Sequence, residues 1–376
     1  MIALAALACL AWLVMISLRG RYWQSGPILA PARPAQSAPA LDVVIPARDE
    51  AEGIGAALRS LLAQDYPGPF RIILVDDDST DGTGDIARSL GDSRLLVPQL
   101  LVIKGRERPA GWSGKLWAVA QGLEQATAPL VLLTDADIVH DPKHLATLAA
   151  KLERDRLDLV SEMVELRCEA LAERLLVPAF VYFFAMLYPF AWVNDPLRAT
   201  AAAAGGTILV RSRALARIGG IAAVRGALID DVALARAVKR GGPIWLGHSR
   251  LARSIRPYPD AASIWRMVAR TAYVQLGRSP IMLLLCIAGM ALVWLVPPAA
   301  ALLAGGAVRV LGLAAWAAMV ASYVPTLRRF RLSPLWAPLL PLVALFYMAA
   351  TIGSAVDHHR GRGVTWKRRA YGSAGA

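Results

Sequence analysis

The stretch that decides the fold is RIILVDDDSTDGTGDIA, which runs from Arg71 to Ala87. Its apolar run ends in the three aspartates Asp76, Asp77 and Asp78, and a polar turn then leads into a helical pattern. A short, continuously apolar run is typical of a strand buried on both faces. Adjacent carboxylates repel one another unless a cation or a hydrogen-bonding ligand meets them. The stretch therefore predicts a buried strand whose end binds something.

The same pattern of a short apolar run followed by a helical segment is repeated on both sides of this stretch. In order, the segments are DVVIP, EAEGIGAALRSLLAQ, RIILVD, DGTGDIARSLG, LLVIKG, GKLWAVAQGLEQA and LVLLTD. This alternation predicts an α/β fold with a mostly parallel sheet covered on both faces. Ligands of such sheets bind at the carboxyl ends of the strands, which is where the aspartates fall.

A second acidic group follows the last of these strands, in the sequence TDAD at Thr134–Asp137. Two carboxylates one residue apart can both reach a hard cation, and Mg²⁺ or Mn²⁺ takes one or two carboxylates together with phosphate oxygens. Helix capping is the simpler explanation for Ser79, Thr80 and Asp81, but it does not account for the three aspartates before them.

His140 and His144 lie four residues apart just beyond this turn. That spacing allows a zinc site on one helix face. A helix start with one surface histidine explains DPKHL equally well and is the commoner arrangement.

The composition indicates a membrane protein, because 56% of the residues are apolar and the net charge is +13. Met1–Leu18 is uncharged, and Arg19 and Arg21 follow it. We predict an N-terminal membrane anchor over residues 1–23 with the following chain on the cytoplasmic side. A cleaved signal peptide is the alternative.

Three more apolar stretches, Ile281–Ala304, Val308–Val324 and Leu335–Val356, predict transmembrane segments within 281–357. Four full spans would place LRRFRLS inside but the basic tail, residues 358–376, outside. One segment would then not cross, and the last stretch, with Pro334, Pro338 and Pro341, is the candidate for a re-entrant or interfacial path.

The remaining boundaries follow from composition. Residues 24–40 are rich in Pro, Ala and Ser and predict a linker, and residues 41–260 form the predicted α/β domain. Residues 261–280 predict an amphipathic segment at the membrane surface. Leu171–Trp192 is long and apolar, but Glu173, Arg174 and Pro178 favour an interfacial helix that admits a lipid.

Six blocks, in this order, resemble the nucleotide-sugar domain of the family 2 inverting glycosyltransferases. They are VVIPARDEAEGI, ILVDDDSTDGT, GWSGKLWAVAQGLEQA, LTDAD, GGTILVRSRALARIGGI and LIDDVALARAVKRGG. Together with the apolar ends of the chain, they are most similar to the membrane-bound, hopanoid-biosynthesis-associated glycosyltransferases. The resemblance implies a GT-A-type (Rossmann-like) fold and transfer of a sugar to a lipid.

The resemblance also implies a role for individual residues in the donor site. Pro46, Arg48 and Glu50 would lie near the base and ribose, and Asp77 or Asp78 would accept hydrogen bonds from the base. Lys115 would lie near the nucleotide. Asp135 would face the ribose and the metal, and Asp137 would be the main ligand of a divalent cation, Mg²⁺ or Mn²⁺.

Catalysis is assigned by the same resemblance to the IDD block. Inverting transfer needs a carboxylate on the face opposite the leaving nucleotide, and Asp231 would be that base with Asp230 beside it. Both could instead cap the helix that follows. Trp112 and Arg270 are candidates for binding the acceptor or the pyrophosphate, although Met267 and Thr271 depart from the Gln-x-x-Arg-Trp motif of relatives. Gln121 lies where relatives often carry Asn.

The predicted function is therefore metal-dependent glycosylation of a membrane lipid in hopanoid or related isoprenoid biosynthesis. The predicted partners are a nucleotide sugar, a lipid acceptor and anionic headgroups in a bacterial-type inner membrane, with the catalytic domain in the cytoplasm. Nucleic acid is not expected, because the basic residues cluster beside apolar segments. The alternatives are a polyprenyl-phosphate glycosyltransferase, a nucleotidyltransferase, and a catalytically inactive membrane scaffold.

Overall fold

The computed structural model describes residues 1–32, 37–91 and 98–361, together with the backbone of residues 365–366 and 369–370. The strands are β1 (Leu41–Ala47), β2 (Phe70–Asp76), β3 (Gln99–Lys104), β4 (Leu130–Thr134), β5 (Ile138–His140), β6 (Leu159–Glu165), β7 (Thr207–Arg211), β8 (Ile244–Ser254), β9 (Thr365–Trp366) and β10 (Arg369–Ala370). The predicted basic tail lies outside the described residues from residue 362, apart from the backbone of β9 and β10.

The α-helices are α1 (Ile2–Leu18), α2 (Ala51–Leu62), α3 (Thr83–Gly91), α4 (Gly114–Gln125), α5 (His144–Arg154), α6 (Leu171–Leu187), α7 (Phe190–Val193), α8 (Ser212–Arg217), α9 (Asp230–Lys239), α10 (Ala261–Ala269), α11 (Ala272–Gln275), α12 (Pro280–Met290), α13 (Val296–Leu303), α14 (Gly306–Arg329) and α15 (Leu340–His359). Short 3₁₀ turns cover Tyr22–Gln24, Ile221–Val224 and Pro334–Leu339, and a π-helical turn covers Ala291–Leu295.

The chain divides into two compact units, each made of several segments. The sheet unit contains Pro27–Arg167, Trp192–Pro257 and Thr365–Ala376, and the helical unit contains Met1–Gly26, Cys168–Ala191 and Tyr258–Val364. The predicted α/β domain, residues 41–260, is therefore interrupted, because Cys168–Ala191 packs with the helical unit.

Among the described residues, the sheet unit is built on eight strands in the order β3-β2-β1-β4-β7-β6-β8-β5. The half from β3 to β4 is parallel, and the predicted strands and helices are found there. In the other half, β7 runs antiparallel to β4 and β6, and β5 runs antiparallel to β8. The GT-A-type fold is confirmed, as a mixed sheet whose parallel half matches the sequence prediction.

Asp42 joins three parts of the parallel half at its amino-terminal edge. Its carboxylate accepts hydrogen bonds from the Arg71 guanidinium on β2, at 2.5 Å, and from the amides of Thr127 and Ala128, at 2.6 and 2.8 Å. Burial favours the protonated carboxyl, but Arg71 and the two amides outweigh it and lower the pKa of Asp42. This buried carboxylate therefore links β1, β2 and the turn before β4.

The predicted linker is partly ordered against the sheet. The amide of Leu29 donates to the carbonyl of His248 at 2.7 Å, and the amide of His248 donates to the carbonyl of Pro27 at 2.8 Å. Leu29 is buried. The segment around Ile28 thus adds a parallel bridge to β8 instead of acting only as a spacer. Residues 33–36 of the predicted linker lie outside the described part of the chain.

The first helix, α1, belongs to the helical unit. It is held there by a hydrogen bond to a backbone carbonyl that has no donor within its own helix. Pro297 has no N–H, so the carbonyl of Val293 has no helical donor four residues on. The indole Nε1 of Trp12 donates to that carbonyl at 2.9 Å. Trp12 is fully buried and packs edge to face on Trp294 at 5.1 Å. Because an unpaired carbonyl is costly in an apolar surrounding, this bond favours docking of α1.

Helix α6 is a core helix of the helical unit. Val177, Ala179 and Tyr182 are buried, and the Tyr182 hydroxyl lies 2.7 Å from Ser322 Oγ on α14. Glu173, which sequence analysis took as a mark of the membrane surface, is buried at the helix start. Its carboxylate accepts from the amides of Glu169, Ala170 and Tyr258. Glu173 therefore does not mark an exposed helix start, and the interpretation of Leu171–Trp192 as an interfacial helix stays a prediction.

Among the described residues, three helices are long and apolar enough to cross a membrane. They span Pro280–Leu303, Gly306–Arg329 and Pro334–His359. The last one is a continuous helix, so the expected re-entrant path is not supported. Its prolines lie in the 3₁₀ turn or the first turn of α15, where a missing N–H is tolerated. The segment 261–280 forms two short helices, α10 and α11, rather than one.

We expect the substitution Asp42→Ala to destabilise the sheet unit by about 3 kcal/mol, because it leaves Arg71 and the amides of Thr127 and Ala128 without their acceptor. The pKa of Asp42 is lowered in the folded chain, so its contribution is present above pH about 4 and is lost as the pH falls through the lowered pKa. Thermal unfolding in detergent at pH 7 and at pH 3 measures both effects.

The matched control is Asp65→Ala, which removes an exposed carboxylate from the loop after α2. Equal melting temperatures for the two variants at pH 7 would contradict the anchoring role of Asp42.

Candidate active site

The candidate site lies at the carboxyl ends of β1, β2 and β4. These strands are parallel and adjacent, so the loops that follow them meet at one edge of the sheet. A pocket opens at this edge. It is lined by Pro46, Lys115, Leu116, Val119, Leu133, Thr134, Asp135, Gly205, Ile208, Ile221, Asp230, Asp231 and Leu234. Residues from the predicted donor and catalytic blocks therefore line one cavity.

The loops after β1 and β2 are tied together by side-chain caps. The carboxylate of Asp81 accepts from the amide of Thr83 at 3.0 Å and from the amide of Ala51 at 2.9 Å. The hydroxyl of Thr83 accepts from the amide of Glu50 at 2.8 Å, and that of Ser79 accepts from the amide of Asp49 at 3.1 Å. Capping thus explains the polar residues after β2, and it fixes the donor loops to each other.

The three aspartates that end β2 have different surroundings. Asp76 is buried and accepts from the amide of Ser79 at 3.1 Å. Asp77 is also buried, and its carboxylate lies 3.6 Å from Arg48, which also donates to the carbonyl of Asp77. Asp78 is exposed and has a positive φ of 58°. Arg48 thus stabilises the charge of Asp77, and Asp78 is the accessible carboxylate of the three.

Lys115 connects the donor block with the catalytic block. It is the second residue of α4, whose start is capped by Ser113. Its Nζ lies 2.8 Å from Asp135 Oδ1 and 3.5 Å from Asp230 Oδ2. One ammonium group therefore holds together the acids that follow β4 and those that begin α9.

This clustering shifts the ionisation of the groups in the pocket. Burial lowers the pKa of Lys115, but Asp135, Asp230 and Asp231 outweigh it and raise that pKa overall. Burial, and secondarily Asp230, raise the pKa of Asp231 to about 7, against the opposing effect of Lys115. A carboxyl with a pKa near neutrality is suited to take up a proton at physiological pH.

Asp137 is paired with a residue that sequence analysis did not single out. Arg256 follows β8, and its Nε lies 3.1 Å from Asp137 Oδ2 while its Nη2 lies 2.7 Å from Glu50 Oε1. The hydroxyl of Ser254 donates to the same Asp137 oxygen at 2.8 Å. Glu50 and Asp137 are thus brought together by a shared guanidinium.

The chemistry of these carboxylates fits a divalent cation. Burial raises the pKa of Asp135; Lys115 opposes this, and the charge of Asp137 adds to it, so the two carboxylates repel each other. Both offer hard oxygen donors, which Mg²⁺ and Mn²⁺ prefer. Within the described residues no three His, Cys, Asp or Glu side chains are grouped as metal ligands. The protein would therefore supply one or two ligands, and diphosphate and water the others.

The two histidines after β4 form a buried hydrogen-bond chain. Nδ1 of His140 lies 2.9 Å from Nδ1 of His144, and His144 Nε2 is bonded to Glu162. Burial and the neighbouring ring of His144 hold the pKa of His140 well below its usual value. At the other end, His140 Nε2 lies 3.3 Å from the hydroxyl of Thr134, the residue before Asp135. The two rings therefore support the end of β4 through this hydrogen-bond chain.

Trp112 does not line the pocket but lies on a neighbouring loop. It packs edge to face on Trp117 at 5.3 Å. The next amide, that of Ser113, donates to the carbonyl of Arg225 at 2.8 Å, which ties this loop to the segment before Asp230. Gln121 anchors the loop start, since its Oε1 accepts from the amide of Arg106 at 2.7 Å.

Arg270 belongs to the helical unit, where it ends α10. The predicted role of Arg270 in binding the acceptor or the pyrophosphate stays a prediction. The roles assigned to the other site residues also stay predictions.

Residues 42–218 match the family described as Glycosyl transferase family 2. The match covers β1 to α8 and includes the acids after β2 and β4. The matched residues, a little under half of the chain, are thus similar to family 2 glycosyltransferase domains. The hopanoid link drawn from sequence resemblance has no counterpart in this match.

Two curated relatives share part of this domain. Dodecaprenyl-phosphate galacturonate synthase of Rhizobium johnstonii is 30% identical over 136 residues, which are 36% of this chain and 38% of the relative. The 4,4'-diaponeurosporenoate glycosyltransferase of Staphylococcus aureus is 34% identical over 99 residues, 26% of this chain and 24% of the relative. The matches thus span well under half of either relative.

A solved structure supports the fold over nearly the whole chain. The mannosyltransferase of Pyrobaculum calidifontis, in complex with GDP-Man and Mn²⁺, has a TM-score of 0.60 and 20% identity, covering 96% of this chain and 99% of that one. At this identity the likeness concerns the fold.

We expect Lys115→Met to raise the pKa of Asp231 above its value of about 7, because the nearest stabilising cation is removed. The carboxyl band of Asp231, assigned with Asp231→Asn, can be titrated by infrared difference spectroscopy on isotope-labelled protein. Lys104→Met, at an exposed lysine that ends β3, is the matched control. An unchanged or lowered pKa in the Lys115 variant would contradict the electrostatic role of this lysine.

Proposed function

We propose that this chain transfers a sugar from a nucleotide-sugar donor to a membrane lipid with inversion at the anomeric carbon. The observation that carries the proposal is the ion pairing of Lys115 with both Asp135 and Asp230. This pairing brings the acids expected to face the donor within reach of those expected to activate the acceptor. A nucleotidyltransferase would be expected to carry a Gly-rich first loop with Arg or Lys, which this sequence lacks, and an inactive scaffold would not be expected to keep acids in all three blocks.

The donor side is supported by polar groups at the ends of β1 and β2. Arg48 Nε is buried and has no hydrogen-bond partner within the described residues. Such an orphaned donor is costly unless a ligand meets it. Together with the exposed carboxylate of Asp78, it offers both a donor and an acceptor to the base and ribose of a nucleotide.

The reaction needs one proton transfer. The acceptor hydroxyl oxygen attacks the anomeric carbon while the bond from that carbon to the diphosphate oxygen breaks, and the hydroxyl proton passes to a carboxylate of Asp231. The products are a glycosylated lipid and a nucleoside diphosphate. Lys115 favours the ionised form of Asp231 and is paired with Asp230 at 3.5 Å.

The divalent cation is part of the proposal. Held by Asp135 and Asp137, it would neutralise the charge that develops on the departing diphosphate.

The acceptor is proposed to be a membrane lipid of isoprenoid type, such as a hopanoid. Three long apolar helices support membrane association. The names of the two relatives refer to a dodecaprenyl phosphate and to diaponeurosporenoate, both long apolar acceptors.

A polyprenyl phosphate is the second candidate acceptor, favoured by the name of the Rhizobium relative. The two candidates differ in their need for a base. A lipid hydroxyl must lose a proton as it attacks, whereas a phosphate oxygen is already ionised near neutral pH. Loss of the base should therefore be severe for a hydroxyl acceptor and slight for a phosphate acceptor.

We expect Asp231→Asn to lower turnover with a hydroxyl acceptor by roughly 10² to 10⁴. Donor affinity should change little, because the donor contacts lie after β1, β2 and β4. Asp230→Asn should have a smaller effect. Nucleotide-sugar binding and mass-resolved lipid glycosylation, measured on both variants in detergent, separate an effect on donor affinity from an effect on turnover.

Normal turnover by the Asp231 variant with a hydroxyl acceptor would remove the base from this residue. Loss of donor binding in that variant would mean that Asp231 belongs to the donor site. If the chain glycosylates only polyprenyl phosphate, and Asp231→Asn lowers that turnover only slightly, the acceptor is the second candidate.

The enzyme is further proposed to lie in a bacterial-type inner membrane with its catalytic domain in the cytoplasm, where nucleotide sugars are made. Arg19 and Arg21 follow α1, which supports this orientation. We expect a cysteine at the exposed position Ser37 to be shielded from membrane-impermeant thiol reagents in intact cells.

The native cysteines, Cys9, Cys168 and Cys286, are replaced by serine in this assay. Gly305→Cys, between the helices ending at Leu303 and beginning at Gly306, is the positive control and should be labelled from outside. Labelling of Ser37→Cys in intact cells would overturn the orientation and the donor assignment with it.

A further inference from the structure

Arg256 is bonded to one oxygen of Asp137, the main candidate metal ligand. Its guanidinium and the hydroxyl of Ser254 both donate to Oδ2 of Asp137, at 3.1 and 2.8 Å. The Asp137 side chain is only 11% exposed. One oxygen of the main candidate metal ligand is thus already saturated by hydrogen bonds from the protein.

A guanidinium and a divalent cation compete for the same carboxylate for two reasons. The lone pairs that a metal needs are engaged by the N–H and O–H donors. The positive charge of Arg256 also repels a cation a few ångströms away, and this repulsion is strong where the surroundings are poorly solvated. A metal ion that binds Asp137 through Oδ2 would therefore have to displace the guanidinium.

Glu50 gives the guanidinium a second carboxylate to which it can stay bound. Its Oε1 accepts from Nη2 of Arg256 at 2.7 Å, and the Glu50 side chain is 14% exposed. A guanidinium has five donors on a planar fork, so it can keep one carboxylate while it leaves another. The displaced charge is then not left unpaired in a poorly solvated site.

We propose that Arg256 sets the cation affinity of this site by neutralising Asp137 until a divalent cation displaces its guanidinium towards Glu50. The inference rests on the proposed function, since it takes Asp137 as a metal ligand. Arg256 is then the residue that keeps the site from accumulating cations in the absence of a donor. The diphosphate of a bound nucleotide adds ligands and favours the displacement.

The alternative is a static brace, in which Arg256 only ties β8 to the loops after β1 and β4. A brace would affect folding when removed, but it would not oppose the metal. The two roles therefore predict opposite changes in metal affinity for the same substitution.

The test is a Mn²⁺ titration of the purified full-length chain in detergent, without nucleotide or lipid, in which free Mn²⁺ is followed by electron paramagnetic resonance. We expect Arg256→Gln to bind Mn²⁺ at least about tenfold more tightly than the unsubstituted chain. Arg256→Lys should give a smaller gain, because a single ammonium cannot span Asp137 and Glu50 as the fork does. Asp137→Asn should abolish the binding.

The matched control is Arg253→Gln, which removes the same charge from an exposed position in β8, the strand that precedes Arg256. Its affinity for Mn²⁺ should equal that of the unsubstituted chain. Circular dichroism and thermal unfolding show which variants are folded. If Arg256→Gln does not fold, the affinity of Arg256→Lys for Mn²⁺ is compared instead.

Equal or weaker Mn²⁺ binding by the folded Arg256 variants would overturn the inference. The absence of Mn²⁺ binding to every variant at millimolar concentration would overturn it as well. A chain that binds Mn²⁺ as expected but transfers no sugar would refute the proposed function and leave the role of Arg256 standing.

Discussion

Repulsion among carboxylates at one edge of the sheet is the constraint on which the site depends. Parallel strands bring the acids after β2 and β4 together, and α9 adds two more. Each group is met by a cation from a different part of the chain: Arg48 for Asp77, Lys115 for Asp135 and Asp230, and Arg256 for Asp137 and Glu50. Lys115 lines the pocket itself, and Arg48 and Arg256 tie together the loops that follow the strand ends.

The same pairing explains how two carboxylates in adjacent positions can do different work. Asp230 lies near Lys115, whereas Asp231 retains a pKa of about 7. A group with this pKa is partly ionised at neutral pH and gains a proton readily. Burial and the charge of Asp230 raise this pKa and Lys115 opposes them, so the geometry of the helix start that carries Lys115 matters as much as the acids themselves.

Much of the parallel half of the sheet could be predicted from sequence, because buried parallel strands are short continuous apolar runs with a helix after each. The antiparallel half was harder to predict from sequence, because β5 has only three residues and pairs with a strand more than a hundred positions away. The burial of Glu173 could not be predicted, because a charge usually indicates a surface and the three amides that satisfy it are brought to it by the fold.

The acids of the site were visible in sequence, but their counter-charges were not. Lys115 was placed near the nucleotide through a resemblance, and nothing local to it indicates its pairing with Asp135. Arg256 lies 119 residues after Asp137 in a segment with no motif, so only the fold brings the two together. Charges that are paired across a fold carry no local sequence signal, whereas consecutive aspartates after a strand do.

The central claim is that the carboxyl edge of β1, β2 and β4 binds the nucleotide of the donor. The most direct measurement is an experimental structure of the full chain with a nucleoside diphosphate and Mn²⁺. We predict the base beside Arg48 and Asp78, and the diphosphate between Lys115 and Asp137. Nucleotide density elsewhere on the sheet unit, with this edge unchanged, would contradict the account.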